Sequence, residues 1–133
     1  MSEQTLIVIK PDAFERKLTG TILSRFEDKG FLIKELKSYI FTKEKAEEFY
    51  DAHKNKPFFS ELVSFISSSN VVACILEGEN SINIVRLMIG TTRSFEAQPG
   101  TIRGDYGLGI TNNIIHASDS YESFIKESKV IFK

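Results

Sequence analysis

The chain reads Val71-Val72-Ala73-Cys74-Ile75-Leu76 near its middle, an uninterrupted run of apolar residues. A strand that is buried on both faces of a sheet has this composition, so we expect residues 71–76 to form a central strand. Cys74 lies within the run and is the chain's single cysteine. This excludes a disulfide scaffold and predicts a reduced thiol in the core.

The sequence on either side of this run predicts the other elements. A β-rich run at residues 5–9 stops at Lys10-Pro11-Asp12, and residues 31–41 form a second such run. The run Val130-Ile131-Phe132 predicts a last short strand. Apolar spacing and capping residues favour helices at residues 21–29 with Gly30 as the C-cap, 42–53 with Thr42 as the N-cap, 59–66 and 82–89. The order indicates an α+β fold with a split β-α-β arrangement around a small, largely antiparallel sheet.

Composition and charge indicate one globular domain over residues 1–133. The 133 residues carry 17 Lys and Arg against 18 Asp and Glu, so the formal net charge is −1. Such a chain lacks the basic surface with which a dedicated nucleic-acid binder neutralises phosphates, and any anionic partner must be small. No apolar run approaches the ~18 residues that span a bilayer, and residues 1–4 do not resemble the start of a signal peptide. We therefore expect no membrane association and a cytoplasmic location.

A glycine-rich segment between Gly90 and about Ser120 is the most unusual part of the chain. It holds five of the eight glycines within twenty residues, and its hydrophobic pattern has little periodicity. Compact domains seldom keep a loop longer than about 12–15 residues unless the loop is functional. Function is therefore expected first in this segment.

The two histidines lie in different settings. His53 stands within the strongly charged residues 51–56, which indicates a solvated surface residue. His116 lies at the end of the glycine-rich segment, where a structural histidine and a nucleophilic one both remain open. A nucleophilic imidazole needs one nitrogen free and the other held by a hydrogen bond, and Ser118 and Glu127 are candidate partners.

Four cations lie at element boundaries or in the glycine-rich segment, where side chains and backbone amides can converge on phosphate. They are Lys10, Arg86, Arg93 and Arg103. The common glycine-rich phosphate-binding motifs are missing, so a nucleotide site would be of neither common kind. Four apolar side chains offer either core packing or a stacking face for a base: Tyr50, Phe58, Phe59 and Leu62. Two distant histidines and one cysteine do not have zinc-site spacing, so no metal site built from protein ligands alone is expected.

A longer set of motifs resembles the nucleoside diphosphate kinase family. Asn113-Ile114-Ile115-His116-Ala117-Ser118-Asp119 closely resembles the active-site signature of these enzymes. The other matching stretches, in the family's order and spacing, are Lys10-Pro11-Asp12, Tyr50, Lys56-Pro57-Phe58-Phe59, Arg86-Leu87-Met88-Ile89-Gly90, Thr92, Pro99-Gly100-Thr101-Ile102-Arg103-Gly104-Asp105 and Glu127. The resemblance covers essentially the whole chain. It implies a ferredoxin-like α+β fold whose four-stranded antiparallel sheet is covered by helices.

The resemblance also implies an activity, the ping-pong transfer of the γ-phosphoryl group from a nucleoside triphosphate, typically ATP, to a nucleoside diphosphate. His116 would be the nucleophile that becomes phosphohistidine, oriented by Glu127 with Ser118 nearby. Mg²⁺ would bridge the nucleotide phosphates and arrive with the substrate.

Three groups of residues would contact the nucleotide, according to the resemblance. The β and γ phosphates would be held by Arg86, Thr92 and Arg103. The sugar hydroxyls and the transferring phosphate would meet Lys10, Tyr50 and Asn113. The base would stack on Phe58, in an apolar pocket lined by Leu62 and Ile110, and stacking accepts any base.

Two departures from the family's pattern concern assembly. The resemblance implies a homo-oligomer built from dimers, a hexamer rather than a tetramer. Many relatives have Asn-Pro after the phosphate-contacting threonine, whereas this chain has Arg93-Ser94, so a loop used in assembly loses a fixed φ. The chain also ends at Phe132-Lys133, without the extension that many relatives wrap over a neighbouring subunit. We therefore expect a looser or less stable assembly.

Two other functions are considered beside the kinase. A regulatory module on the same fold would bind nucleotides through Phe58, Arg86 and Arg103 without phosphorylating His116. The histidine with its partners Ser118 and Glu127 argues for the kinase, because binding alone does not require them. An RNA-binding sheet would need exposed aromatics on a central strand and a net positive charge, and the sequence has neither.

Overall fold

A four-stranded antiparallel sheet lies at the centre of the fold in the computed structural model, which describes residues 2–132. The strands are β1 (Ser2–Ile9), β2 (Leu32–Tyr39), β3 (Val71–Glu79) and β4 (Ile115–Ala117). The α-helices are α1 (Pro11–Glu15), α2 (Thr19–Lys29), α3 (Lys43–Phe49), α4 (Phe59–Ile66), α5 (Ser81–Ile89), α6 (Ile102–Tyr106) and α7 (Tyr121–Phe132). Short 3₁₀ turns occupy Asp51–His53 and Ser94–Glu96.

The spatial order of the strands is β2-β3-β1-β4. β3 pairs antiparallel with both β1 and β2, which confirms residues 71–76 as part of a central strand. β4 pairs antiparallel with β1 and sets Val8 opposite His116. His116 therefore lies on an edge strand, directly beside the central strand β1.

Helices cover both faces of the sheet, and this explains the uninterrupted apolar run. Alternate strand residues point to opposite faces. Cys74 and its even-numbered neighbours pack with α2 and α5, while Ala73 and Ile75 pack in a second cluster with residues of α3, α4 and α7. Both sets are buried because both faces are covered. The α+β fold with a four-stranded antiparallel sheet is thus confirmed.

The residues predicted to cap two helices do so. Gly30 ends α2 with a φ of 110°, a conformation that favours glycine. Thr42 accepts a hydrogen bond from the Lys45 N–H at 3.1 Å and so caps α3. Cys74 is a free thiol with no exposed surface, and its burial raises the thiol pKa to about 12.

The predicted last strand is wrong. Val130-Ile131-Phe132 belongs to α7, and the fourth strand is β4, which contains His116. Ile131 lies seven residues after Phe124, and both are buried on the face of α7 that covers the sheet. β4 has three residues, too few for a period of two to be recognised. None of the helices within residues 2–132 is long and apolar enough to cross a bilayer.

Candidate functional site

A cavity of about 950 Å³ opens where β1 and β4 end beside α4, α5 and the glycine-rich segment. Most of the residues predicted for the site line it: Lys10, Tyr50, Phe58, Leu62, Arg86, Thr92, Arg103, Ile110, Asn113, His116 and Glu127. Ser118 does not line it, because it is fully buried and donates to Glu127. The candidates Arg93 and Phe59 do not line the cavity either. The volume of the cavity is typical of sites that hold one small-molecule ligand.

A chain of hydrogen bonds fixes the imidazole of His116. The His116 Nε2 atom lies 2.8 Å from Glu127 Oε1, and the Ser118 hydroxyl donates to the same oxygen at 2.7 Å. A carboxylate oxygen accepts hydrogen bonds, so in the neutral imidazole Nε2 is the protonated nitrogen and Nδ1 keeps its lone pair. Within residues 2–132, Nδ1 makes no hydrogen bond. The arrangement suits a nucleophile that reacts through Nδ1.

Two aromatic rings confine His116 further. The Phe49 ring lies 5.0 Å and the Tyr50 ring 6.3 Å from the imidazole, centroid to centroid, and both meet it edge-on. Tyr50 is 5% exposed. Burial and the charge of Glu127 raise the pKa of the Tyr50 phenol, which therefore stays protonated and able to donate a hydrogen bond.

Lys10 is a buried cation at the end of β1. Its Nζ donates to Asn113 Oδ1 at 2.7 Å and to the Thr111 carbonyl at 3.2 Å. The Asn113 amide in turn donates to the Thr92 carbonyl at 2.8 Å. Burial, with the nearby Arg103 guanidinium, lowers the pKa of Lys10 to about 7. A bound anion would reverse this effect, because an opposite charge favours the protonated amine.

Arg103 is 4% exposed and donates to three backbone carbonyls, those of Gly90 at 3.0 Å, Asn113 at 3.3 Å and Ile115 at 2.6 Å. A guanidinium has five N–H groups, so two of them remain for a ligand. Arg86 donates one hydrogen bond to the Ala117 carbonyl at 3.0 Å. Both guanidinium groups are thus fixed before any anion binds.

The backbone between Asn113 and β4 makes an unusual turn. Ile114 has a φ of 80°, and the Ile115 N–H donates to the Asn113 carbonyl at 2.9 Å, which closes a γ-turn. A positive φ is rare for a β-branched residue and costs about 1–3 kcal/mol. Asp12 Oδ2 accepts a hydrogen bond from the Ile114 N–H at 3.1 Å.

The far end of the cavity is apolar and aromatic. Phe58 is 42% exposed there, while Leu62 and Ile110 complete the lining. The prediction that His53 is a solvated surface residue holds only in part: the residue is half-buried, its ring lies 5.8 Å from that of Phe58, and its Nδ1 is buried without a partner in residues 2–132. Burial lowers its pKa. His53 is the last residue of the 3₁₀ turn that follows α3.

Sequence reasoning missed several residues of the site. Phe95 and Ser123 line the cavity, and neither carries a local signal for binding. Asp119 also lines it, and the Ser123 hydroxyl, which donates to its carboxylate at 2.8 Å, lowers the carboxyl pKa. The contact between Asp12 and Ile114 joins residues 102 positions apart, which a local pattern does not reveal. Residues 2–132 contain no cluster of three or more His, Cys, Asp or Glu arranged for a metal ion.

Comparisons with known proteins agree on one family. A family model described as nucleoside diphosphate kinase matches residues 3–133. The nucleoside diphosphate kinase of Staphylothermus marinus is 55% identical over 99% of this chain and 94% of its own length. The Aquifex aeolicus enzyme superposes with a TM-score of 0.96 at 50% identity, covering 100% of this chain and 96% of the other. The Halobacterium salinarum enzyme, solved in complex with CDP, has a TM-score of 0.96 at 40% identity and covers 100% and 89%.

Proposed function

Because the chain belongs to the nucleoside diphosphate kinase family and transfers the γ-phosphoryl group of a nucleoside triphosphate to a nucleoside diphosphate, we propose that His116 carries the phosphoryl group between the two. The observation that supports this role best is the hydrogen bond from Nε2 to Glu127, which leaves Nδ1 as the nucleophilic nitrogen. Ser118 steadies Glu127 and acts through it.

The transfer occurs in two steps, phosphorylation of His116 and then transfer of the phosphoryl group to the second diphosphate. The Nδ1 lone pair of His116 attacks the γ-phosphorus, the bond from that phosphorus to the β,γ-bridging oxygen breaks, and the first diphosphate leaves. A β-phosphate oxygen of the second diphosphate then attacks the same phosphorus, the N–P bond breaks, and the free imidazole returns. Glu127 keeps the Nε2 proton in place throughout, so the ring accommodates positive charge at the moment it is phosphorylated.

The fixed cations of the cavity stabilise the charge that spreads over the phosphoryl oxygens. Arg86, Arg103 and the Thr92 hydroxyl contact the β and γ phosphates, while Lys10 and Asn113 contact the transferring group and the sugar. The Tyr50 phenol donates a hydrogen bond to the transferring phosphate beside His116. Since Arg86, Arg103 and Asn113 are already oriented by protein carbonyls, little reorganisation of these donors accompanies the reaction.

The nucleoside end of the substrate occupies the apolar part of the cavity. Phe58 stacks on the base, with Leu62 and Ile110 on its edges, because a half-exposed ring offers a π-face to any base. The relative from Halobacterium salinarum was solved in complex with CDP, a diphosphate of the acceptor class. We expect this chain to accept several bases.

Mg²⁺ is expected to bind through the phosphates of the nucleotide, since this ion prefers phosphate oxygens, water and one or two carboxylates. Asp119 suits this chemistry, because its carboxylate lines the cavity and its lowered pKa keeps it ionised. When bound, the ion neutralises phosphate charge during transfer.

The chain is further proposed to work as a cytoplasmic homo-oligomer built from dimers, with a hexamer favoured. β2 lies at the edge of the sheet, and three apolar side chains, Leu32 and Leu36 within it and Ile40 directly after it, are each more than half accessible. An exposed edge strand with apolar side chains is typical of a surface that pairs with another chain.

A labelling experiment tests the role of His116. The purified protein is incubated with γ-labelled ATP and Mg²⁺ and then chased with unlabelled UDP. We expect acid-labile, base-stable label on His116 that moves to UDP, and no label in His116→Ala. His53→Ala serves as the matched control and should remain labelled. ATP binding without label on His116 would refute the covalent relay and favour a regulatory nucleotide-binding module.

A further inference from the structure

The γ-turn at Ile114 connects the cations of the site to His116, and the distance between them must stay fixed for phosphoryl transfer. Asn113, on one side, binds the Lys10 amine with its side chain and the Arg103 Nε–H with its carbonyl. His116 lies two residues beyond the turn, in β4. A change of backbone direction at Ile114 would therefore move the imidazole relative to the cations.

The turn is held from outside by the segment that follows β1. The Lys10 N–H donates to the Ile114 carbonyl at 2.8 Å, and Asp12 accepts from the Ile114 N–H at 3.1 Å. Both peptide groups of an unfavourable residue are thus bound by residues 10 and 12. Ile114 itself has no exposed surface.

We propose, on the basis of the role proposed for His116, that Asp12 is a positioning residue whose carboxylate holds the γ-turn at Ile114 and thereby sets His116 against Lys10 and Asn113. Asp12 does not line the cavity, so it acts through the turn and not by touching the nucleotide. Its second oxygen, Oδ1, is buried without a partner in residues 2–132, so the carboxylate acts on the turn through the hydrogen bond that Oδ2 accepts from the Ile114 N–H.

The charge of Asp12 has a separate effect on Lys10. Burial and Arg103 lower the pKa of the Lys10 amine, and Asp12 acts in the opposite direction. Burial raises the pKa of Asp12 itself, while the N–H groups of Ile114 and Ala13 and the charge of Lys10 lower it. A test of the positioning role must therefore separate the hydrogen bond from the charge.

Two substitutions make this separation. Asp12→Asn and Asp12→Ala remove the same charge, but only the asparagine keeps an oxygen that can accept from the Ile114 N–H. For both variants and the wild type, quenched-flow labelling with saturating γ-labelled ATP gives the rate of His116 phosphorylation, and calorimetry gives the Kd for ADP. Displacement of a reacting group by about 1 Å costs about 10²-fold in rate. We expect Asp12→Ala to be slower than Asp12→Asn by about that factor, with Kd values within about threefold of each other.

Equal phosphorylation rates in Asp12→Asn and Asp12→Ala would overturn the proposal. A parallel loss of ADP affinity and rate in Asp12→Ala alone would also overturn it, since that result indicates general disruption of the site. If Asp12→Ala does not fold, Asp12→Ser takes its place, because its hydroxyl oxygen sits near the position of the aspartate Cγ and is too short for the contact. Wild-type labelling on His116 is checked first, so failure of the covalent relay is distinguished from failure of the positioning role.

Discussion

Nucleotide affinity should fall as the pH rises above 7, because Lys10 loses its proton in this range. Burial and the Arg103 charge lower the pKa of Lys10 to about 7. The diphosphate of ADP brings negative charge into the cavity that Lys10 lines, and this charge favours the protonated amine, so binding takes up a proton. About half of the amines are protonated at pH 7 and about one in eleven at pH 8, so the Kd for ADP should rise about fivefold between them.

The assay is titration calorimetry with ADP from about pH 6 to pH 9, in two buffers that differ in ionisation enthalpy. Lys10→Arg is the matched control, since its guanidinium stays charged throughout. Titration of the ADP phosphate is common to both proteins and cancels in the difference. At pH 7 the wild type should take up about half a proton more per ADP than the variant. The same pH dependence in both proteins would refute the reasoning.

Two further substitutions test the site, and a third, with a matched control, tests the packing of the glycine-rich segment. Arg103→Ala should lower kcat/KM by about 10²-fold or more, since it removes a phosphate donor, and should also lower the Tm, because three carbonyls lose their donor. Tyr50→Phe keeps the ring and loses one hydroxyl, so steady-state kinetics should show a smaller loss, of about tenfold. Gly104→Ala would place a Cβ against the Gln98 carbonyl oxygen, closer than a Cβ atom can approach without a shift of the backbone. Denaturant unfolding should show a loss of about 1–3 kcal/mol, whereas Gly20→Ala, which meets nothing within 4 Å, should not be destabilised.

The hydrophobic pattern predicted the elements with regular periodicity and failed where packing decides the structure. The runs at residues 5–9 and 71–76 became strands because both faces of the sheet are covered. Val130-Ile131-Phe132 has strand-like composition, but its position in α7 is set by burial of Ile131 against the sheet. β4 is defined by pairing with β1, a long-range contact with no local signature.

The candidate site was largely predictable because its residues occupy recognisable motifs, while their mutual contacts were not. The helix predicted over residues 42–53 ends at Phe49, and a separate 3₁₀ turn at Asp51–His53 follows it, a break that the helical spacing does not reveal. Ser118 was expected near Glu127, and the structure specifies the contact, a hydrogen bond from its hydroxyl to the Glu127 carboxylate. Ile114 has a positive φ, which β-branched residues disfavour. The γ-turn is held by hydrogen bonds with residues 10 and 12, so the local sequence does not predict it.

The cavity that leads to His116 receives both substrates, and this makes turnover depend on the composition of the nucleotide pool. Donor triphosphate and acceptor diphosphate compete for the same binding surface, since each must reach the same imidazole. A diphosphate that enters before the histidine is phosphorylated forms a dead-end complex and excludes the donor. Turnover should therefore pass through a maximum as acceptor is increased. In a cell the rate would follow the ratio of triphosphates to diphosphates, and the enzyme would slow when that ratio collapses.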